Sequence, residues 1–142
     1  MKNNKMLTMV IIVLVAVILI GVILFVLLTQ FNKPAGVEEP SIDEIVEATI
    51  EVPEITTNLA DNRVVRLSLK IQTTSKEAAD ELTKRTFQVQ NLAIQELSEM
   101  GQADLEGKQG KQIFQMALKT RLNELMQEGE VQEVYFTSFI TQ

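Results

Sequence analysis

The chain has 142 residues, with thirteen Lys or Arg against nineteen Asp or Glu and neither His nor Cys. That length allows one modest domain, and the missing thiols and imidazoles exclude thiolate catalysis, imidazole base chemistry and nearly all zinc sites. A net charge of −6 offers no clustered positive surface to displace counterions, which argues against nucleic acid as a partner.

The first element is the run from Leu7 to Leu28, "LTMVIIVLVAVILIGVILFVLL", and no ionisable side chain stands between Lys5 and Lys33. About 20 apolar helical residues cross a hydrocarbon core ~30 Å thick. A signal-peptide core is shorter, roughly 7–15 residues, and ends at a small-residue cleavage site; none is present here. The run reads as an uncleaved membrane anchor in contact with lipid. Lys2 and Lys5 precede it, and a single Lys33 followed by Glu38 and Glu39 comes after it. The positive-inside tendency then places residues 1–6 in the cytoplasm, the span at 7–28, and the rest outside. The span carries no ionisable group, so it relays no protons.

Residues 29–45 read as an acidic tether. "KPAGVEEPSIDE" (Lys33 to Glu44) has two prolines and no periodicity, and no base stands between Lys33 and Arg63. The functional alternative for this acidic strip is docking to a basic partner. An outer domain is expected over 46–142. "VEATIEV" (Val46 to Val52) alternates, with Val46, Ala48, Ile50 and Val52 on one face, as a half-buried strand does, and Pro53 ends it or marks an edge. "NLADN" (Asn58 to Asn62) is turn chemistry. "RVVRLSLKIQT" alternates again, with Val65, Leu67, Leu69 and Ile71 inward, so an antiparallel pair is expected.

Thr74 to Glu77 has capping-box spacing, with Thr74 as N-cap. Leu82, Thr86, Val89, Ala93, Leu97 and Met100 recur at three- and four-residue steps, predicting one long amphipathic helix that ends near Gly101. A second helix is expected from Lys111 to Gln127, with Phe114, Leu118, Leu122 and Leu125 on one stripe and Gly129 as the C′ glycine. A last strand starts at Val131. There Val134, Phe136 and Ile140 share one face by strict alternation, and Tyr135 and Phe139 the other, so the strand is expected to be covered on both sides. The expected fold is therefore a single N-terminal transmembrane helix plus an α+β outer domain in the order β-β-α-α-β.

Catalytic readings are weak. Asp80 with Glu81, and Asp104 with Glu106, read as solvated surface. Ser68 and Lys70 share the solvent face of a strand, as a Ser/Lys hydrolase pair would, but nothing near them suggests an oxyanion hole or a buried lysine. "GKQG" (Gly107 to Gly110) has the spacing of a loop that clamps nucleic-acid backbone; on an acidic domain it reads as a turn into a helix. No cofactor or metal site emerges.

The closing block "LNELMQEGEVQEVYFTSFITQ" resembles the FliL family of flagellar basal-body-associated membrane proteins. The resemblance runs through an Asn-x-x-Leu element starting at Asn123, with Met126 in place of its leucine, then Gly129, Val131, Val134, Tyr135, Phe136, Thr137 and Gln142. "DLEGKQGKQ" is similar to the family's loop into the second helix, and "TKRTFQVQNLAIQEL" to its long helix. The resemblance implies a stomatin-like (SPFH) outer domain that forms a homo-oligomeric ring around the stator units of the flagellar motor, supports swimming or swarming under load, and is not an enzyme. It supplies no catalytic, cofactor or metal residues; Tyr135, Phe136 and Phe139 are the candidate structural or interface residues. The rivals are a stomatin-type scaffold unrelated to motility and the anchored Ser/Lys hydrolase.

Overall fold

The computed structural model describes residues 2–31 and 39–142. Of the tether assigned to 29–45, residues 32–38 lie outside the described residues, and the rest is corrected in part: 29–31 continue the N-terminal helix and 42–45 belong to a short helix. Two compact units emerge, 1–39 and 40–142.

The first unit is helix α1, Lys2–Phe31. Its stretch Asn4–Leu28 spans 25 residues, is long and apolar enough to cross a membrane, and buries none of itself against protein. At 1.5 Å per residue it is about 37 Å long, more than a ~30 Å hydrocarbon core needs. The Thr8 hydroxyl donates to the Asn4 carbonyl at 2.7 Å, so its polar group is satisfied inside the helix.

The second unit opens with a short helix, α2 (Ile42–Glu47), held by a complete capping box. Ser41 Oγ accepts the Glu44 N–H at 3.3 Å, and Glu44 returns to the Ser41 N–H at 2.7 Å. The expected start of the first strand at Val46 is therefore corrected: Val46 is helical and exposed, and the strand begins at Thr49. Strand β1 (Thr49–Asn58) pairs antiparallel with β2 (Val64–Thr73), and β2 with β3 (Val131–Thr141), giving the sheet order β1-β2-β3. The Asn58–Asn62 turn has Asn62 at φ 63°, as its sequence leads one to expect.

Helices α3 (Lys76–Lys84), α4 (Thr86–Glu99) and α5 (Gly107–Leu125) cover one face of the sheet, with a 3-10 turn at Ala103–Leu105 between the last two. Val65, Leu67, Leu69 and Ile71 are fully buried beneath Leu82, Val89, Leu97, Phe114, Leu118 and Leu122. Burying a side chain of this kind contributes about 1.5–3 kcal/mol, so this single layer holds the domain together.

Three expectations for the helices change. The N-cap of α3 is Ser75, whose hydroxyl accepts the Ala78 N–H at 3.2 Å. Thr74 instead pairs with Glu130 at the sheet end, giving its N–H to the Glu130 carbonyl and receiving the Glu130 N–H on its hydroxyl. The long helix breaks at Arg85, which has φ −94° and ψ 12°. Thr83 and Thr86 donate to the carbonyls of Ala79 and Thr83 there, and such side-chain competition for backbone acceptors bends helices. Finally, α5 begins at Gly107, four residues before the expected Lys111, and ends at Leu125 with Met126 as C-cap, so Gly129 is no C′ residue. It sits at φ +64° in the turn to β3, packed against Thr74 and Ala78.

Candidate interaction surface

Strand β3 organises the candidate site. Two register shifts interrupt its pairing, at Gln132 and at Thr137. Each extra residue reverses the facing of the strand residues after it. Val131, Val134, Phe136 and Phe139 therefore all pack toward the helices, and the strict alternation expected for this strand fails. Phe136 bridges Phe114 and Phe139, with ring centroids 5.6 and 5.5 Å away. Lys111 Nζ lies 4.8 Å from the centre of the Phe139 ring, within cation–π range.

Tyr135 and Ile140 point the other way and stay 45% and 46% exposed. Both the facing expected for Phe139 and Ile140 and the expected cover on both sides are thus corrected: β3 is an edge strand covered on one face. The Tyr135 hydroxyl donates to Gln72 Oε1 at 2.8 Å, and Gln72 Nε2 donates to Gln132 Oε1 at 3.1 Å. Between Tyr135 and α2, through Ile45 and Val46, runs a groove of about 350 Å³.

Helix α5 closes the first half of the outer edge of β3. Asn123 Oδ1 accepts the Val131 N–H at 2.6 Å and its Nδ2 donates to the Val131 carbonyl at 3.2 Å. Gln115 Nε2 donates to the Val134 carbonyl at 2.5 Å. The amide side chains stand where a fourth strand would lie. Asn123 belongs to the block that carries the family resemblance, but its bonding role had no signal in the sequence.

Glu81 is no solvated carboxylate. It accepts the N–H groups of Gln127 and Glu128 and pairs with Arg85 at 2.7 Å, tying the α3–α4 break to the turn before β3. The Glu128 N–H above all holds its pKa below the ordinary glutamate value; partial burial opposes this, and Arg85 and the Gln127 N–H add to it. Asp104 accepts the Gly101 N–H at 2.8 Å. Gly107 has φ +72°, and a Cβ on Gly110 would overlap the Asp104 carbonyl oxygen. The glycines of "GKQG" thus serve helix entry and close packing. Lys70 pairs with Glu51 at 3.9 Å in the open, and no hydrogen bond joins its side chain to that of Ser68. Among the described residues no cluster of three His, Cys, Asp or Glu could hold a metal.

The β1 side is acidic and the β3 side is balanced, because Glu124, Glu128, Glu130 and Glu133 offset the four bases of α5. Residues 42–58, on the β1 side, hold Asp43, Glu44, Glu47, Glu51 and Glu54 without a base. Helix α5, beside β3, carries Lys108, Lys111, Lys119 and Arg121 against Glu124.

Residues 49–142 match the family model described as flagellar basal body-associated protein FliL. The chain is 44% identical over 99 residues to the flagellar protein FliL of Bacillus subtilis (strain 168), covering 70% of this chain and 71% of that one. It is 25% identical over 93 residues to the flagellar protein FliL of Aquifex aeolicus (strain VF5), covering 63% and 58% respectively. The matched span takes in the whole sheet, the helices that cover it and the Asn123 clamp on β3. On that breadth of agreement, the chain belongs to the FliL family of flagellar basal body-associated proteins.

Proposed function

We propose that this chain is a non-enzymatic, single-pass accessory protein of the flagellar motor. In this reading α1 spans the cell membrane with its N-terminus in the cytoplasm, and the domain from 46 to 142 stands outside. The domain is stomatin-like, associates with the stator units and with further copies of itself in a ring, and is needed for full swimming and swarming. Family membership across residues 49–142 carries the reading. The apolar helix and the Lys2 and Lys5 flank support the anchor and its direction.

The test is recovery of the full-length chain from crosslinked flagellated cells. Stator subunits should be enriched with it, and not with a version whose residues 2–31 are replaced by an unrelated anchor-free leader. Equal recovery of stator subunits from both, or from neither, contradicts the reading.

A further inference from the structure

Two stretches of strand backbone lie open at the same end of the sheet. On β3, Gln142 exchanges both backbone bonds with Val64, at 2.9 and 3.1 Å. An antiparallel ladder alternates inward and outward residues, so Thr141 and Phe139 turn their N–H and C=O groups away from β2. Asn123 and Gln115 satisfy this edge at Val131 and Val134; among the described residues nothing satisfies it beyond.

On β1 the first half of the edge is blunted. Pro53 has no N–H, a register shift falls between Val52 and Ile55, and Glu51 and Glu54 flank it. These are the devices that keep edge strands from pairing. The second half, Ile55 to Asn58, has neither proline nor charge, and Thr56 and Asn58 are exposed. Its rows coincide with those of the open half of β3: Ile55 and Phe139 both face Leu67, and Thr57 and Thr141 both face Val65.

We propose that these two half-edges join copies of this chain, Ile55–Asn58 of one copy lying beside Phe136–Thr141 of the next. The sheet then continues from copy to copy. The proposal rests on the self-association in the proposed function and names the surface that makes it. Both strands run antiparallel to β2, so they are parallel to each other, and a neighbour in the same orientation meets the edge in parallel register. Matching rows and strand direction select this pairing. Lys111 stands beside Phe139 on the helix face of β3, and Glu54 is held by Arg66 at 3.5 Å on the open face of β1, so no like charges meet across the join. A symmetric β3-to-β3 pairing would instead bring the Lys111 side chains of both copies together. The contact is heterologous, so it propagates and closes into a ring if the rotation per copy closes.

The chain has no Cys, so introduced cysteines report this contact cleanly. Thr56 and Ile140 both face Arg66, in one row on the open face. Full-length T56C/I140C, oxidised in its native membranes, should give a ladder of dimers, trimers and higher species, while T56C and I140C alone stay monomeric. Adding Thr141→Pro, which removes an outward N–H, should abolish the ladder with the circular dichroism unchanged. Dimers from I140C alone, a bond from I140C to a different polypeptide, or a ladder indifferent to Thr141→Pro would overturn the proposal. Absence of the ladder overturns it too. Amine crosslinking of the wild-type chain then separates the two claims: oligomers there leave self-association standing without this join, and their absence removes both.

Discussion

Asn123 holds Val131 by both backbone groups, at 2.6 and 3.2 Å, and so takes the place of a neighbouring strand at the start of β3. A helix side chain that satisfies a strand's donor and acceptor together fixes where that strand enters the sheet. Leaving a buried polar group unpaired costs about 1–3 kcal/mol. Asn123→Ala is therefore expected to lower stability by about that amount. Asn123→Asp, which accepts the N–H but cannot donate, should fall between. Urea unfolding of the outer domain at neutral pH measures both, and a wild-type midpoint for Asn123→Ala would contradict the assignment.

The aromatic column separates core from surface on β3. Truncating a buried Phe costs about 3–5 kcal/mol, and Phe114 is fully buried. Phe114→Ala should approach that cost, with Phe136→Ala and Phe139→Ala somewhat below it because both rings are partly exposed. Ile140→Ser, on the open face, should stay within about 0.5 kcal/mol. Thermal melts of the four variants check the order. A larger loss for Ile140→Ser than for Phe139→Ala would mean the bulge at Thr137 is misplaced.

Glu81 ties acid sensitivity to the entry of β3. Its pKa is lowered in the folded state, so the stability it contributes is present above its unfolded value, about 4.3, and is lost as pH falls through the folded one. Glu44 and Asp61 are lowered too, chiefly by the N–H groups of Ser41 and Gln102. Stability should thus be level near neutrality and decline below about pH 4–5. Glu81→Gln should be less stable at pH 7 and lose less on acidification. An unchanged slope in a pH series of unfolding midpoints would show that the carboxylate does no such work.

Much of the fold was legible in the residues. The alternation of Val65, Leu67, Leu69 and Ile71 announced a strand buried on one face, and Phe114, Leu118 and Leu122 a helix lying on it. Ser41 and Glu44 carried the capping-box signal for α2 in plain sight, inside a stretch whose charge and prolines suggested only a tether. The break at Arg85 has neither glycine nor proline to mark it; it arises from threonine hydroxyls bonding back to the helix. The bulge at Thr137 is likewise unmarked, so counting by twos put Phe139 on the wrong face. Asn123 and Glu81 act on backbone groups that only the folded chain brings near, at Val131 and at Gln127 with Glu128.

Gly110 and Gly107 distinguish packing from backbone freedom. Replacing an ordinary helical Gly with Ala gains roughly 0.5–1 kcal/mol. At Gly110 the added methyl meets the Asp104 carbonyl, so Gly110→Ala should destabilise by about 1–3 kcal/mol, the usual cost of overpacking. Gly107 faces open space and only its φ of +72° resists, so Gly107→Ala should cost about 1–2 kcal/mol. Denaturant midpoints for the pair test this, and a stabilised Gly110→Ala would refute it.

The functional account is tested most directly by motor torque under load. In flagellated cells lacking this chain, tethered motors should turn with reduced torque at high load, and the full-length chain should restore it. A version without residues 2–31 should not. Torque equal to wild type at every load in the deleted cells would contradict the role assigned to the protein.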